Sequence, residues 1–526
     1  MTNSFNQDYQ YNNCISRGIC SINPRTSSLQ EIIILYLKLS GYYALKLENE
    51  GITLPRIKEI ILDTISILVT NTDFTETDFY NIIKNFNAEI PQIINLYKEM
   101  CEKKNETPVY MKTDIKFNKK TDIIKFIRLG EKELRKKSEQ VPMQTRNLYK
   151  ILFLLAKSLC VNIQDLESFG IDASIGYISI LKILNHINYT EINLEEIKKF
   201  INEIIVCNNK LVNYLRSAQV ERYGIQQETD VSYSTTPGKA ILVVGSNIRE
   251  LEKILYATSK SEIDIYTHDE MMLAHTFPKF KEFKHLKGQY GQGVENCHLD
   301  FATFPGPIII TRHSLFNIEN LYRGLLFTTD IAYSKGVIKI QDDDYSAVIE
   351  SAIKARGFKT GKSCDSEKIG FVYEKELNYL EKYLSNNNYE RIIIFGLYGY
   401  SPEDKSYFEK LLKEVDDKTL IISLSFYSKN KNVVCINACF DNYAIIKIAE
   451  KINLISKLPL NIFVPQCGRN AIAKIIYFSS VLNANTFIAK CSPTILNPNI
   501  IKTLKESFNI REITTPQKDF NIIKNI

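Results

Sequence analysis

The sequence predicts a multidomain α plus α/β protein, an N-terminal helical bundle followed by two Rossmann-like α/β domains. Three observations carry this prediction. From about residue 26 to 224 apolar residues recur at helical spacing, with no convincing strand among them. After residue 239 short apolar runs alternate with helical segments, the pattern of a parallel sheet covered on both faces. Two polar stretches, 225–238 and 357–368, divide the chain into three blocks. A chain of 526 residues is also too long for one core, given domains of roughly 100–200 residues. The expected boundaries are 1–226 for the bundle, 239–356 for the first α/β domain and 369–526 for the second.

Within the bundle, Ser28 with Glu31 reads as a capping box opening the run Leu29 to Leu47. Ile57, Ile60, Ile61, Ile65 and Leu68 repeat at three and four, and amphipathic stretches follow at 147–160 and 194–216. Polar loops such as 118–122 join them, which suggests one or two antiparallel bundles. The segment IQQETDVSYSTTPG, ending in Pro-Gly, reads as a linker. In the first α/β block the strand candidates are 239–245, 265–268, 307–311, 325–329 and 337–340. In the second they are 391–397, 419–424, 461–464 and 486–489. No internal repeat is visible in the sequence.

Composition excludes several function classes. The 66 Lys and Arg exceed the 60 Asp and Glu by six, but the two signs are interspersed, so no basic face for nucleic acid is expected. No apolar run approaches the roughly 18–20 residues of a membrane span. The polar start MTNSFNQDYQYNN resembles neither a secretory signal nor a transit peptide, and a cytoplasmic location is expected. Eleven cysteines, an odd number spread over a long chain, argue for reduced thiols, buried or metal-bound, over a disulfide framework.

Ligands of a parallel sheet sit at the carboxyl ends of its strands, which singles out Ser246, Glu270, Ser314, Leu397, Tyr398 and Cys467. The turn Gly245-Ser246-Asn247 resembles the start of a phosphate-binding loop without its full glycine fingerprint, so a plain strand-to-helix turn is the simpler reading. Cys14 and Cys20 flank a glycine (CISRGIC) and could share a metal or an iron–sulfur cluster, although two thiols do not close a site. Cys435 and Cys439 lie four apart, yet buried free cysteine more often serves as a small hydrophobe. Thr267-His268-Asp269-Glu270 with His275 places imidazoles near carboxylates, a set that can bind metal or move protons. His285, His298 and His313 complete the clustering, and hydrogen-bonded structural roles are the plainer explanation for most. No Gly-x-Ser-x-Gly elbow, P-loop or His-Glu-x-x-His is present, which weakens hydrolase and kinase readings.

Several segments together resemble the hybrid cluster protein family, also called prismane or hydroxylamine reductase and related to carbon monoxide dehydrogenase. They are NCISRGIC, GKAILVVGSNIRELEKIL (238–255), DIYTHDEMMLAHTFPKFKEFKHLKGQYG (264–291), FPGPIIIT (304–311), LFTTDIAYSKGVIKI (326–340), IIIFGLYG (392–399) and CFDNYAIIKIA (439–449). Their order agrees with the family across the chain. The resemblance implies a prismane-like fold, an iron–sulfur reductase of hydroxylamine or nitric oxide, and a redox partner feeding an N-terminal cubane.

The ligands implied by the resemblance are largely replaced here. Of the four cubane cysteines, Cys14 and Cys20 match, while the upstream pair falls near Thr2 and Phe5. Of the hybrid-cluster ligands, the His falls on Ser246, one Glu is kept as Glu270, and three Cys fall on Ser314, Leu397 and Phe426 (or Ser425). The fourth Cys is kept as Cys439, and the last Glu falls near Gly468, beside Gln466 and Cys467. A thiolate-rich cluster needs its sulfur donors, so the leading expectation is a divergent homologue without the intact cluster or its reductase activity. Leu397 and Phe426 should also make the cluster cavity apolar. A second reading is an oxidoreductase with a rearranged metal site built from Glu270, His268, His275, Cys439 and Cys467. A third is a non-catalytic binding or scaffold protein that engages a protein partner.

Overall fold

The computed structural model describes residues 24–69, 75–113, 115, 122–187, 193–291, 297–314, 322–331, 335–385, 388–396, 402–438, 441–465, 471–489 and 498–525. The bundle comprises helices Pro24–Glu48, Pro55–Val69, Glu76–Lys103, Ile123–Gln140, Met143–Ser168, Ser174–His186 and Leu194–Tyr223. The capping box expected at Ser28 is not there. The helix already runs from Pro24, whose missing N–H and fixed φ suit a first turn, and the Ser28 hydroxyl donates back to the Pro24 carbonyl at 3.0 Å. A reciprocal box does open the helix Glu76–Lys103, where Thr75 and Asp78 exchange bonds at 2.8 and 3.3 Å. The loop expected at 118–122 lies outside the described residues except for Asp122. Close packing is enforced at Gly130, where a Cβ would lie 2.0 Å from the Ser28 carbonyl oxygen. No helix among the described residues is long and apolar enough to cross a membrane.

The segment expected to be a bare linker carries β1 (Thr229–Ser232). It pairs antiparallel with β8 (Ser366–Ile369) from the second polar stretch. Val231 and Ile369 point inward among polar neighbours and are buried, so alternation on two short polar strands supplies the pairing. The first α/β unit holds β2 (Lys239–Val244), β3 (Ile263–His268), β4 (Leu286–Gln289), β5 (Ile308–Ile310), β6 (Leu326–Thr328) and β7 (Ile338–Lys339). These form one parallel sheet in the order β4-β3-β2-β5-β6-β7. The second holds β9 (Arg391–Phe395), β10 (Thr419–Ser423), β11 (Val433–Cys435), β12 (Leu460–Val464), β13 (Asn485–Ile488) and β14 (Ile510–Glu512). Its order, β11-β10-β9-β12-β13-β14, is the same doubly wound 3-2-1-4-5-6 pattern, also parallel throughout. The two sheets are thus structural repeats without a visible sequence repeat.

Strand periodicity decides how the units join. In β9, Ile392 and Ile394 face a core continuous with the bundle, while Ile393 and Phe395 face a separate aromatic cluster on the other side. The bundle and the second sheet therefore share one hydrophobic core. The first sheet has a core of its own on each face, with Tyr223, the last residue of the bundle, inserted into one of them.

Candidate functional site

In a sheet of this order the strand direction of connection reverses between the first and fourth strands, and a crevice opens at their carboxyl ends. In the first sheet these ends bear Gly245-Ser246 after β2 and Thr311 to Ser314 after β5. Gly245 has φ +122°, and a Cβ there would lie 2.3 Å from the Ser314 Oγ, so only glycine lets the two loops touch. The Asn247 side chain accepts from the Glu250 N–H at 3.0 Å and donates to Asp165 at 2.9 Å, which makes the turn a helix cap docked on the bundle.

A cavity of about 110 Å³ opens where the three units meet. The bundle contributes Ser158, Asn162, Asp165, Asn208 and Arg216, the first α/β unit Ser246 and Glu270, and the second Asp441, Asn442, Tyr443 and Lys474. Asp441 caps the helix Asn442–Ile455, accepting from the Tyr443 and Ala444 amides at 3.0 and 3.1 Å. The same oxygen accepts from Arg216 Nη2, and the guanidinium lies 4.9 Å from the centre of the Tyr443 ring. Lys474, 5% exposed, donates to the Asn442 side-chain oxygen. Burial pushes its amine down to about 8, against the opposing pull of the Glu270 and Asp441 charges. Burial likewise pushes the Glu270 carboxyl up, and the Lys474 charge resists this.

Of the two residues expected to make the cavity apolar, Leu397 lies outside the described residues and Phe426 is turned away from it. Phe426 packs against Phe395 and Phe408, with ring centres 6.3 and 5.5 Å away, in the aromatic cluster on the far face of the second sheet. The lining of the cavity mixes charged and amide side chains with Val161, Val212, Leu215 and Leu273. The histidines do not converge on Glu270. His268 Nε2 lies 3.0 Å from Asp300, and His275 Nε2 lies 2.9 Å from the Thr267 hydroxyl, buried so that its pKa is pushed down to about 4. His285 pairs with Thr258, His298 with Tyr322 and His313 with Lys157, at 3.0, 2.8 and 3.1 Å. Among the described residues no three His, Cys, Asp or Glu side chains gather as a metal site. Cys14, Cys20, Leu397, Tyr398, Cys439, Gln466, Cys467 and Gly468 lie outside the described residues. Of the described cysteines, Cys101, Cys160, Cys207 and Cys297 are buried free thiols.

Sequence reasoning missed Arg216, Asp441, Lys474 and Asp165. One signal was available, since Lys474 interrupts the apolar run AIAKIIYF (471–478) and a lysine there needs a buried partner. Asp165 carries a further consequence. Burial, helped by the nearby Glu250 charge, pushes its carboxyl up to about 7, while Arg312 opposes the shift. An acid whose pKa is raised on folding loses stability as pH rises from its unfolded value, about 4, to its folded value, and the loss is complete above that. Asp165→Asn should therefore match the parent at pH 4, gain thermal stability progressively up to pH 7, and hold that gain at pH 8. Melting curves of both proteins across this range check it, and a difference independent of pH would refute it.

A model of the Prismane/CO dehydrogenase family matches residues 10–425. The hydroxylamine reductase of Thermodesulfovibrio yellowstonii is 25% identical over 541 residues, covering 97% of this chain and 98% of the relative. That of Acidiphilium cryptum is 25% identical over 525 residues, covering 96% and 94%. One chain of an acetyl-CoA synthase/carbon monoxide dehydrogenase structure, solved with NiZn[Fe4S4] and NiNi[Fe4S4] clusters in its alpha subunits, superposes with a TM-score of 0.48 at 11% identity, covering 97% of this chain and 83% of that one. With its matched span, its two doubly wound sheets and its helical bundle, this chain belongs to the Prismane/CO dehydrogenase family.

Proposed function

We propose that this chain keeps the scaffold of its family without the hybrid cluster and does not reduce hydroxylamine, the activity for which its relatives are named. The observation that carries this reading is Lys474, a buried amine in the same cavity as Glu270. Cluster ligands must be deprotonated donors. A protonated amine offers iron no lone pair, and its charge opposes a metal cation beside the one carboxylate that the family resemblance retains among the described residues. Ser246 and Ser314 stand where the resemblance asks for an imidazole and a thiolate, and hydroxyls are poor substitutes for soft donors around iron. The described donor set does not fit an iron–sulfur–oxygen cluster, and no redox step is derived through one.

The test is iron and acid-labile sulfide per chain, on protein expressed and purified without oxygen, with hydroxylamine turnover from an artificial electron donor measured alongside. Iron near zero and no turnover are expected. Iron at or above about four atoms per chain, one cluster's worth, with robust turnover, would show that Cys439, Cys467 and other groups complete a site and would overturn the reading.

A further inference from the structure

We propose that the cavity between the three units binds a small anion that carries its own hydroxyl, a 2-hydroxy carboxylate or a hydrogen oxoanion, between Arg216 and Asp441. This rests on the reading that no cluster fills the cavity. Its size sets the first limit. About 110 Å³ suits a ligand of a few heavy atoms and is well below the roughly 300–1,000 Å³ of sites for cofactor-sized molecules.

Unfilled hydrogen-bonding capacity sets the second. The Arg216 side chain is 9% exposed, and only Nη2 reaches an acceptor, Asp441 Oδ1. Nε and Nη1 have none among the described residues, although both are buried. Arg216 is fixed at the carboxyl-terminal part of the helix Leu194–Tyr223 by this ion pair and by stacking on Tyr443, so rotating its head toward solvent would break both. Asp441 shows the opposite deficit. Its Oδ1 is shared by Arg216 and two amides, whereas Oδ2 is buried without a donor among the described residues.

Buried polar groups in native proteins are nearly always satisfied, and leaving a charged one unmet is costly. Unmet donors on Arg216 and an unmet acceptor on its ion-pair partner call for one ligand that accepts from the first and donates to the second. A carboxylate or oxoanion bearing an O–H does both. Lys474, on the same wall, adds positive charge opposite Glu270, and burial, which pushes the Asp165 carboxyl up to about 7, limits the negative charge that Asp165 adds to the lining.

The experiment is calorimetric titration of the purified full chain with sodium glycolate and sodium bicarbonate, against sodium acetate and sodium chloride at equal ionic strength. Saturable binding of glycolate or bicarbonate with a Kd at or below about 1 mM is expected, with acetate, which lacks the hydroxyl, about 10-fold weaker. Arg216→Lys, which keeps the charge but loses the fixed fork, should weaken binding by about 10- to 100-fold. The wild-type comparison needs no variant, so it holds even if Arg216→Lys fails to fold. Absence of saturable binding in iron-free protein overturns the anion site and leaves the cluster-free reading intact. Acetate binding as tightly as glycolate overturns the role of Asp441. Stoichiometric iron in the same sample overturns the cluster-free reading and this site with it.

Discussion

Asp441→Ala should loosen the second α/β unit from the bundle, at a cost of about 3–5 kcal/mol, because it strands a buried guanidinium. Asp441 is 1% exposed and does two jobs, capping the helix Asn442–Ile455 and pairing with Arg216 from the bundle. Loss of the cap alone would cost about 1 kcal/mol. The rest comes from leaving Arg216 charged and enclosed between aromatic rings with nothing to neutralise it. Arg216→Met in the Asp441→Ala background should recover most of the loss beyond the cap, since an apolar side chain there has no charge to satisfy. Thermal unfolding with a parallel proteolysis time course reads this, because a chain of several units need not unfold in one step. A single variant no less stable than a surface substitution would mean the pair does not hold the units together.

The bundle helix Leu194–Tyr223, which carries Arg216, fastens the first α/β unit six residues further on. Glu252, 2% exposed on the helix Ile248–Thr258, accepts a two-pronged bond from Arg222 at 2.8 and 2.9 Å, the Tyr223 hydroxyl at 2.9 Å, and Arg249. Burial alone would push this carboxyl up, but the bonds from Arg222, Tyr223 and Arg249 outweigh it and hold the pKa below the ordinary glutamate value. A carboxylate lowered on folding adds stability above its unfolded pKa, about 4.5, and that contribution disappears as pH falls through the folded value. Glu252→Gln should cost about 2–4 kcal/mol at pH 7 and progressively less below pH 4. The cost stays below that at Asp441 because Arg222 is 41% exposed and water screens part of the interaction. Denaturation of parent and variant at pH 7 and pH 3 checks both size and sign, and an equal gap at the two values would contradict it. Asp165 runs the other way with pH, so the two variants separate a carboxylate held by charged donors from one that has a single amide donor and whose burial dominates.

The legibility of the fold followed burial, except at β7, an exposed two-residue edge strand that the run 337–340 nevertheless marked. Strands β2, β3, β5, β6, β9, β10, β12 and β13 are central and covered on both faces, so apolar residues predominate in them, broken only by single polar positions or polar ends. The strands missed within the two large sheets, β4, β11 and β14, are edges, paired on one side only and three or four residues long. β4 reads LKGQ, which carries no strand pattern. β1 and β8 escaped notice because each buries a single apolar side chain and gains its pairing from a partner more than a hundred residues away. The shared strand order of the two sheets was invisible because topology constrains which positions are apolar without constraining which apolar residue fills them.

At the candidate site, Glu270 was singled out by its place after a strand, and the structure puts it in the cavity. The sequence by itself determined the order of the units, the central strands and the family, because periodicity and local turn chemistry are written residue by residue. Only the tertiary structure decided that Lys474 stands beside Glu270, that Arg216 and Asp441 meet across 225 positions of chain, and that Phe426 turns away from the cavity. Pairing of buried charges depends on which helix faces meet and on what water is excluded from between them, and neither is encoded within any single segment.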